Sequence, residues 1–273
     1  MTKGMHWLLG LLGVGALCGA YGYGWERHQL EVVSLSITLP DWPQVLKGVR
    51  LVHFSDTHLG QYWGLEQLQR VVDVINREKP DLICFTGDLV DESTRLLSAA
   101  VPMLRGLQAP LGKFAVLGNH DWRYGQQDVI HQALVDADFQ VLDNRHVRTE
   151  YKGAGLYVAG VDDVLHGTPD VQAALAGIAP GEPVILLVHE PDFADVAARH
   201  HVHLQLSGHS HGGQVRLPLI GHVLTPPLGQ KYVSGLMQAG ERKMPVYTSR
   251  GLGTTILPVR FLCRPEVTVL TLV

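Results

Sequence analysis

The chain has 273 residues, 46% hydrophobic and 18% charged, a balance that suits one large packed domain and excludes a disordered chain. Its formal charge of -4 offers no basic surface of the kind nucleic-acid binding needs. Three cysteines (Cys18, Cys84, Cys263) show neither CxxC nor zinc-knuckle spacing and read as small buried side chains, while histidine is unusually frequent at 15.

From Gly4 to Trp25 the chain carries no Asp, Glu, Lys or Arg, with Lys3 before the run and Glu26 and Arg27 closing it. A bilayer core takes about 20 such residues. The many glycines favour a membrane helix over a buried soluble one, and no clean small-x-small cleavage site follows. The run is therefore expected to be a transmembrane or signal-anchor helix, with a cleaved signal as its rival. This divides the chain into an anchor, 1–27, and a globular domain, 28–273. Lys3 before the run and Glu26 after it lean the domain toward the extracytoplasmic face of the membrane, which would be the inner (cytoplasmic) membrane in a bacterium.

Glu31 to Leu39 alternates polar and apolar residues as a half-buried strand does, and Arg50 to Phe54 is a second strand. Leu65 to Arg77 has helical periodicity and is stopped by Pro80. Leu82 to Thr86 is a strand, Leu96 to Leu107 a helix despite Pro102, and Lys113 to Leu117 a strand. A helix from Val129 to Ala137 precedes strands near Phe139 to Leu142 and Leu156 to Val161. A short helix at Val171 to Ile178, a strand at Val184 to Val188, a helix at Phe193 to Arg199 and a strand at His203 to Leu206 follow. Val246 to Thr248 and Val267 to Val273 complete an α/β chain.

Five of the apolar strands end in short clusters of Asp, His or Asn: Asp56-Thr57-His58, Gly87-Asp88-Leu89-Val90-Asp91, Gly118-Asn119-His120-Asp121, His189, and Gly208-His209-Ser210-His211. Singly, D-x-H or G-D is ordinary turn and capping chemistry. Ligands bind at the carboxyl ends of strands in α/β sheets, so the five clusters can converge. Together they offer imidazole, carboxylate and amide oxygen, the donor set of a mixed N/O metal site. A bridging carboxylate can hold two metals roughly 3.5–4 Å apart, a spacing suited to in-line attack on phosphorus.

The ordered set D-x-H, G-D-x-x-D, G-N-H-D, a lone His after a strand and G-H-S-H resembles the calcineurin-like metallophosphoesterase superfamily from Arg50 onward. Thr248-Ser249-Arg250-Gly251-Leu252-Gly253 and Cys263-Arg264-Pro265-Glu266-Val267 further resemble its bacterial YaeI/YkuE-type phosphodiesterase branch. The resemblance implies a four-layer α/β/β/α sandwich and two divalent ions (manganese, iron or zinc). It implies one ion on Asp56, His58, Asp88 and His211, and the other on Asp88, Asn119, His189 and His209. It also implies His120 as general acid, Asp91 as the group that orients it, and a metal-bridging hydroxide as nucleophile.

The histidine pair is G-H-S-H where G-H-T-H is commoner, which leaves both ligands intact. Glu92 and Ser93 follow Asp91 where the protein phosphatases of the superfamily carry Arg-Gly, so a phosphoprotein substrate is disfavoured. The expected reaction is hydrolysis of a phosphodiester or pyrophosphate. A lipid-linked or nucleotide-sugar substrate such as UDP-diacylglucosamine is compatible with a membrane anchor. A non-catalytic metal-binding module and a metal-dependent nuclease are the competing classes. Arg250 is a candidate phosphate contact, Gln214 a candidate pocket residue, and His53 and His203 are assigned to packing or the surface.

Overall fold

The computed structural model describes residues 3–273; the side chains of residues 3–11 and 14 lie outside that description. Helix α1 (Lys3–Gly24) leads into strands β1 (Glu31–Ile37) and β2 (Arg50–Phe54), then helix α2 (Leu65–Arg77) and β3 (Leu82–Thr86). Helix α3 (Leu97–Arg105), β4 (Lys113–Val116), the short α4 (Asn119–Trp122), α5 (Gln127–Asp136) and β5 (Gln140–Val141) complete the first half. The second half runs through β6 (Arg145–Tyr151), β7 (Ala154–Gly160), α6 (Val171–Leu175), β8 (Val184–Leu187), α7 (Ala194–Ala197) and β9 (Leu204–Ser207). A small hairpin, β10 (Arg216–Leu217) and β11 (Gly221–His222), precedes β12 (Gly235–Ala239), β13 (Met244–Thr248) and β14 (Glu266–Leu272).

Two six-stranded sheets form, in the orders β1-β14-β2-β3-β4-β5 and β12-β13-β9-β8-β7-β6. Their central strands are parallel: β2 with β3 and β4 in one sheet, β7 with β8 and β9 in the other. Such strands are covered on both faces, which is why they read as continuous apolar runs. The period of two then sorts their side chains between two cores. Leu51, Cys84 and Phe114 point inward to meet Val158, Ile185 and Leu204 of the other sheet. Val52, Ile83 and Phe85 point outward against Leu68, Val71 and Ile75 of α2 and Leu134 of α5. On the far side, Leu186 and Val246 pack against Ala174 of α6 and Ala194 of α7. The layers are therefore helix, sheet, sheet, helix.

Helix α2 and strands β2 and β3 occupy the residues read from sequence. Strands β6 and β12 were not anticipated; β6 (Arg-His-Val-Arg-Thr-Glu-Tyr) is polar, half exposed and at a sheet edge, so it carries no apolar run. Part of the expected membrane segment, residues 4–11 and 14, has side chains outside the description, though its backbone is helical to Gly24. Among the described residues no helix is long and apolar enough to cross a membrane, so a transmembrane helix gains no support here. The end of α1 is tied to the domain. The Arg260 N–H donates to the Gly22 carbonyl (3.2 Å), and the Cys263 N–H donates to buried Glu26 (2.5 Å).

Candidate metal centre

Because β2, β3 and β4 are parallel neighbours, the loops after them leave from one end of the first sheet, and the loops after β8 and β9 leave together from the second. The backbone keeps pairing past the strands. Asp56 N–H donates to the Gly87 carbonyl (2.9 Å), His58 N–H to the Asp88 carbonyl (3.0 Å) and Gly208 N–H to the His189 carbonyl (3.0 Å). The two sheets are joined at the site itself. The His209 N–H donates to Asp56 Oδ1 (3.0 Å), and His189 Nδ1–H donates to the Thr86 carbonyl (2.6 Å).

The space is too tight for side chains at two glycines. A Cβ on Gly118 would stand 2.7 Å from His189 Cε1 and collide with the Asp88 carboxylate; one on Gly208 would collide with Asp56. Five candidate ligand residues, Asp56, His58, Asp88, His209 and His211, have φ between 46° and 66°. That left-handed conformation is unfavourable for non-glycine residues and is held only where surrounding structure enforces it, a pattern concentrated at functional sites.

Asp56, His58, Asp88, Asn119, His189, His209 and His211 are all buried and gathered in one place. Potential ligand atoms of Asp56, His58 and His211 lie within 4.8 Å of one another, as do those of Asp56, Asp88 and His189. His58, Asp88 and His120 form a third such group. Asp88 Oδ2 is 3.5 Å from His58 Nε2 and 3.3 Å from His189 Nε2, which puts its carboxylate between the two halves of the cluster.

The hydrogen bonds decide which ring nitrogens point inward. His189 spends its Nδ1 proton on the Thr86 carbonyl and His209 its Nε2 proton on the Pro227 carbonyl (2.8 Å). Burial, then the neighbouring His189 charge, lowers the His209 pKa to about 4, so its ring is neutral. The remaining His209 Nδ1 lone pair therefore faces Asn119 Oδ1 at 2.9 Å, an acceptor against an acceptor. His189 Nε2 is 3.2 Å from the same oxygen. On the other side, His58 Nε2 and His211 Nε2 are 3.0 Å apart, with both Nδ1 atoms buried and lacking a hydrogen-bond partner. Imidazole nitrogens, an amide oxygen and carboxylates gathered this closely are the donor set that a cation takes.

The electrostatics agree. Burial raises the Asp56 pKa, with the Asp88 carboxylate adding to it. Burial opposes the charge on Asp88 too, yet the surrounding imidazoles hold its pKa well below the usual carboxylate range. Burial likewise works against protonated His189, but Asp88 holds that pKa well above an ordinary imidazole. The residues fit divalent cations, which would displace the His189 proton on binding and be held by imidazoles and ionised carboxylates.

His120 opens toward the cleft. Its Nδ1 lies 3.3 Å from Asp91 Oδ1, and its backbone N–H donates to Asp88 Oδ1 (2.8 Å). Asp91 also lies 3.6 Å from His58 Nδ1, beyond hydrogen-bond length. Sequence reasoning gave no role to Asp121, whose carboxylate accepts the N–H groups of Asp88, Leu89, Val90 and Gly118 and so locks two of the loops. It also missed Arg123, whose Nη1 is 3.4 Å from His120 Nδ1. Arg250, the candidate phosphate contact, pairs with Glu266 and with Glu31 (2.8 Å) and is not part of the cleft lining. Arg260, fully buried, donates to the carbonyls of Arg250, Gly251, Gly253 and Cys263 and fixes the loop behind Asp56.

The model of the calcineurin-like phosphoesterase family matches residues 49–213, a stretch that contains all five strand-end clusters. The chain belongs to that family. It is 41% identical to the uncharacterized metallophosphoesterase YkuE of Bacillus subtilis over 278 residues, covering 99% of this chain and 95% of that one. Phosphodiesterase YaeI of Escherichia coli is 33% identical over 231 residues, 82% of each chain. Among solved structures, TT1561 of Thermus thermophilus superposes with a TM-score of 0.50 at 16% identity, over 74% of this chain and 89% of that one, and shares the fold.

Proposed function

We propose that the chain hydrolyses phosphodiester or pyrophosphate bonds at a dinuclear centre. Asp56, His58 and His211 would hold one ion and Asn119, His189 and His209 the other, with Asp88 shared between them. The observation that carries this reading is the gathering of His189 and His209 at Asn119, and of His58 against His211, around one shared carboxylate. Divalent ions bound there supply Lewis acidity, lowering the pKa of a water nucleophile and screening charge on the phosphoryl oxygens. Mixed N/O donors suit manganese, iron or zinc.

The chain's own groups do the rest. A water oxygen, its proton released to solvent, forms the new bond to phosphorus while the bond to the leaving oxygen breaks. His120 delivers a proton to that oxygen from Nε2 as the general acid. Asp91 is the positioning residue, holding the Nδ1–H so that Nε2 faces the cleft. Similarity to YaeI, a phosphodiesterase, supports the diester over the monoester.

We assign the catalytic domain to residues 28–273 and take α1 as a membrane tether. Exposed Leu12, Leu17, Tyr21, Tyr23 and Trp25 support that assignment, since Trp and Tyr favour membrane interfaces. A lipid-linked ester, of which UDP-diacylglucosamine is an example, would meet the enzyme there.

The test is turnover of bis-(p-nitrophenyl) phosphate with Mn²⁺, with and without EDTA, for the native chain and His120→Ala. The native enzyme should be active only with metal. H120A should keep both ions and lose roughly 10²–10⁴ in rate, more for poorer leaving groups. Metal-independent turnover, or an H120A protein stripped of metal, would contradict the assignment.

A further inference from the structure

The cleft that opens from the metal centre has a volume of about 660 Å³ and includes Asp88, Asn119, His120, His209 and His211 in its wall. Its chemistry is lopsided. Beyond those residues the wall is built by two loops, 213–227 and 255–259, that contribute Val223, Leu224, Pro226, Ile256, Leu257 and Val259. Leu224 is 74% exposed and Ile256 88%, where a folded chain ordinarily turns aliphatic side chains inward. Contiguous exposed apolar surface of this kind marks a binding surface. Arg123 is the sole Lys or Arg side chain in the lining.

The loops are held in place. Gln214 is extended between them, its Nε2 donating to the Thr255 carbonyl (2.9 Å) and its Oε1 accepting the Thr255 N–H (2.8 Å). The Phe261 N–H donates to the Gln214 carbonyl and the Arg216 N–H to the Phe261 carbonyl (2.9 and 2.8 Å). The wall is also anchored to the candidate ligands, since the Pro227 carbonyl accepts the His209 ring proton. The Gln214 amide is consumed between the loops, and apart from Thr225 and Thr255 the side chains the loops leave facing a ligand are mainly aliphatic.

We infer that this wall is a subsite for an aliphatic substituent of the substrate's phosphate, which makes the substrate an amphiphile. The inference rests on the phosphoesterase reading, because the metal cluster fixes where the phosphorus must sit. A substituent leaving the phosphorus through the cleft would run along a lining that includes His120, Arg123, Leu224 and Ile256. A strongly hydrated sugar or peptide laid there would lose water without gaining hydrogen bonds, whereas an acyl, alkyl or prenyl chain removes its own apolar surface and that of the wall together.

The experiment uses the full chain with Mn²⁺ and p-nitrophenyl alkyl phosphodiesters carrying ethyl, hexyl and decyl groups, each kept below its critical micelle concentration. Each buried methylene raises kcat/KM by up to about fourfold, so the decyl ester should exceed the ethyl ester by at least about tenfold. Leu224→Ser and Ile256→Ser, both surface substitutions, should pull the decyl-to-ethyl ratio, read within each variant, toward one. An unchanged ratio in both variants, or a flat series in the native enzyme that still turns over the ethyl ester, overturns the subsite and leaves the phosphoesterase reading standing. Loss of turnover for every ester with metal bound overturns that reading, and the subsite with it.

Discussion

His53 and His209 are both buried and both hold pKa values far below a free imidazole, about 3 and about 4, yet their surroundings differ. His53 sits between the sheets with its Nε2 against the Thr86 hydroxyl (2.8 Å) and its ring edge-on to Tyr247, so burial alone keeps it neutral. His203 behaves similarly, its Nδ1 accepting the Val184 N–H while burial lowers its pKa to about 4. A folded pKa below the unfolded 6.5 means that the unfolded chain takes up a proton the folded chain refuses. The contribution of His53 is thus fully present above pH 6.5 and is lost as pH falls from 6.5 toward 3. For metal-free protein, the slope of unfolding free energy over that range should fall by up to about 1.4 kcal/mol per pH unit in His53→Gln. Urea titrations at several pH values check this; identical slopes would mean that His53 is protonated in the fold. At this scale the candidate ligands were legible because each directly follows an apolar run. Asp121 was not, because a carboxylate that accepts four backbone N–H groups and a carboxylate that holds a metal look the same in sequence.

Among the elements, the buried parallel strands were the most legible, since a strand covered on both faces is an uninterrupted apolar run bounded by turn residues. Helix α2 was equally clear, as Leu68, Val71, Val72 and Ile75 fall on one face. The edge strands β6 and β12 were not legible, because a half-exposed strand is chosen by its partner's hydrogen bonds more than by its own hydrophobicity. The cleft wall was hidden for a related reason: Val223, Leu224, Ile256 and Leu257 lie in loops with no period to betray a common face. The turns that carry the ligands make a sharper prediction. In Gly118→Ala the added methyl must displace His189 or the Asp88 carboxylate. Metal affinity should fall by about 10–100-fold, the range seen when ligand orientation is disturbed, while far-ultraviolet circular dichroism stays unchanged. Calorimetric titration with Mn²⁺ measures it, and native affinity in the variant would show that the loop packing does not set the ligand geometry.

Across the whole molecule, the functional arrangement depends on how two sheets are stacked, which no local pattern encodes. Strand β14, last in the chain, inserts between β1 and β2 and so brings the C-terminal Glu266 to Arg250, behind the loop that backs Asp56. The second sheet supplies His189, His209 and His211 to a site whose acids come from the first, and Asp88 lies where the two sets meet. A dinuclear centre is the central claim, and its most direct test is anomalous diffraction from crystals grown with Mn²⁺. Two peaks roughly 3.5–4 Å apart, one on each side of the Asp88 carboxylate, are the predicted result. A single peak, or ions bound away from Asp88, would contradict it.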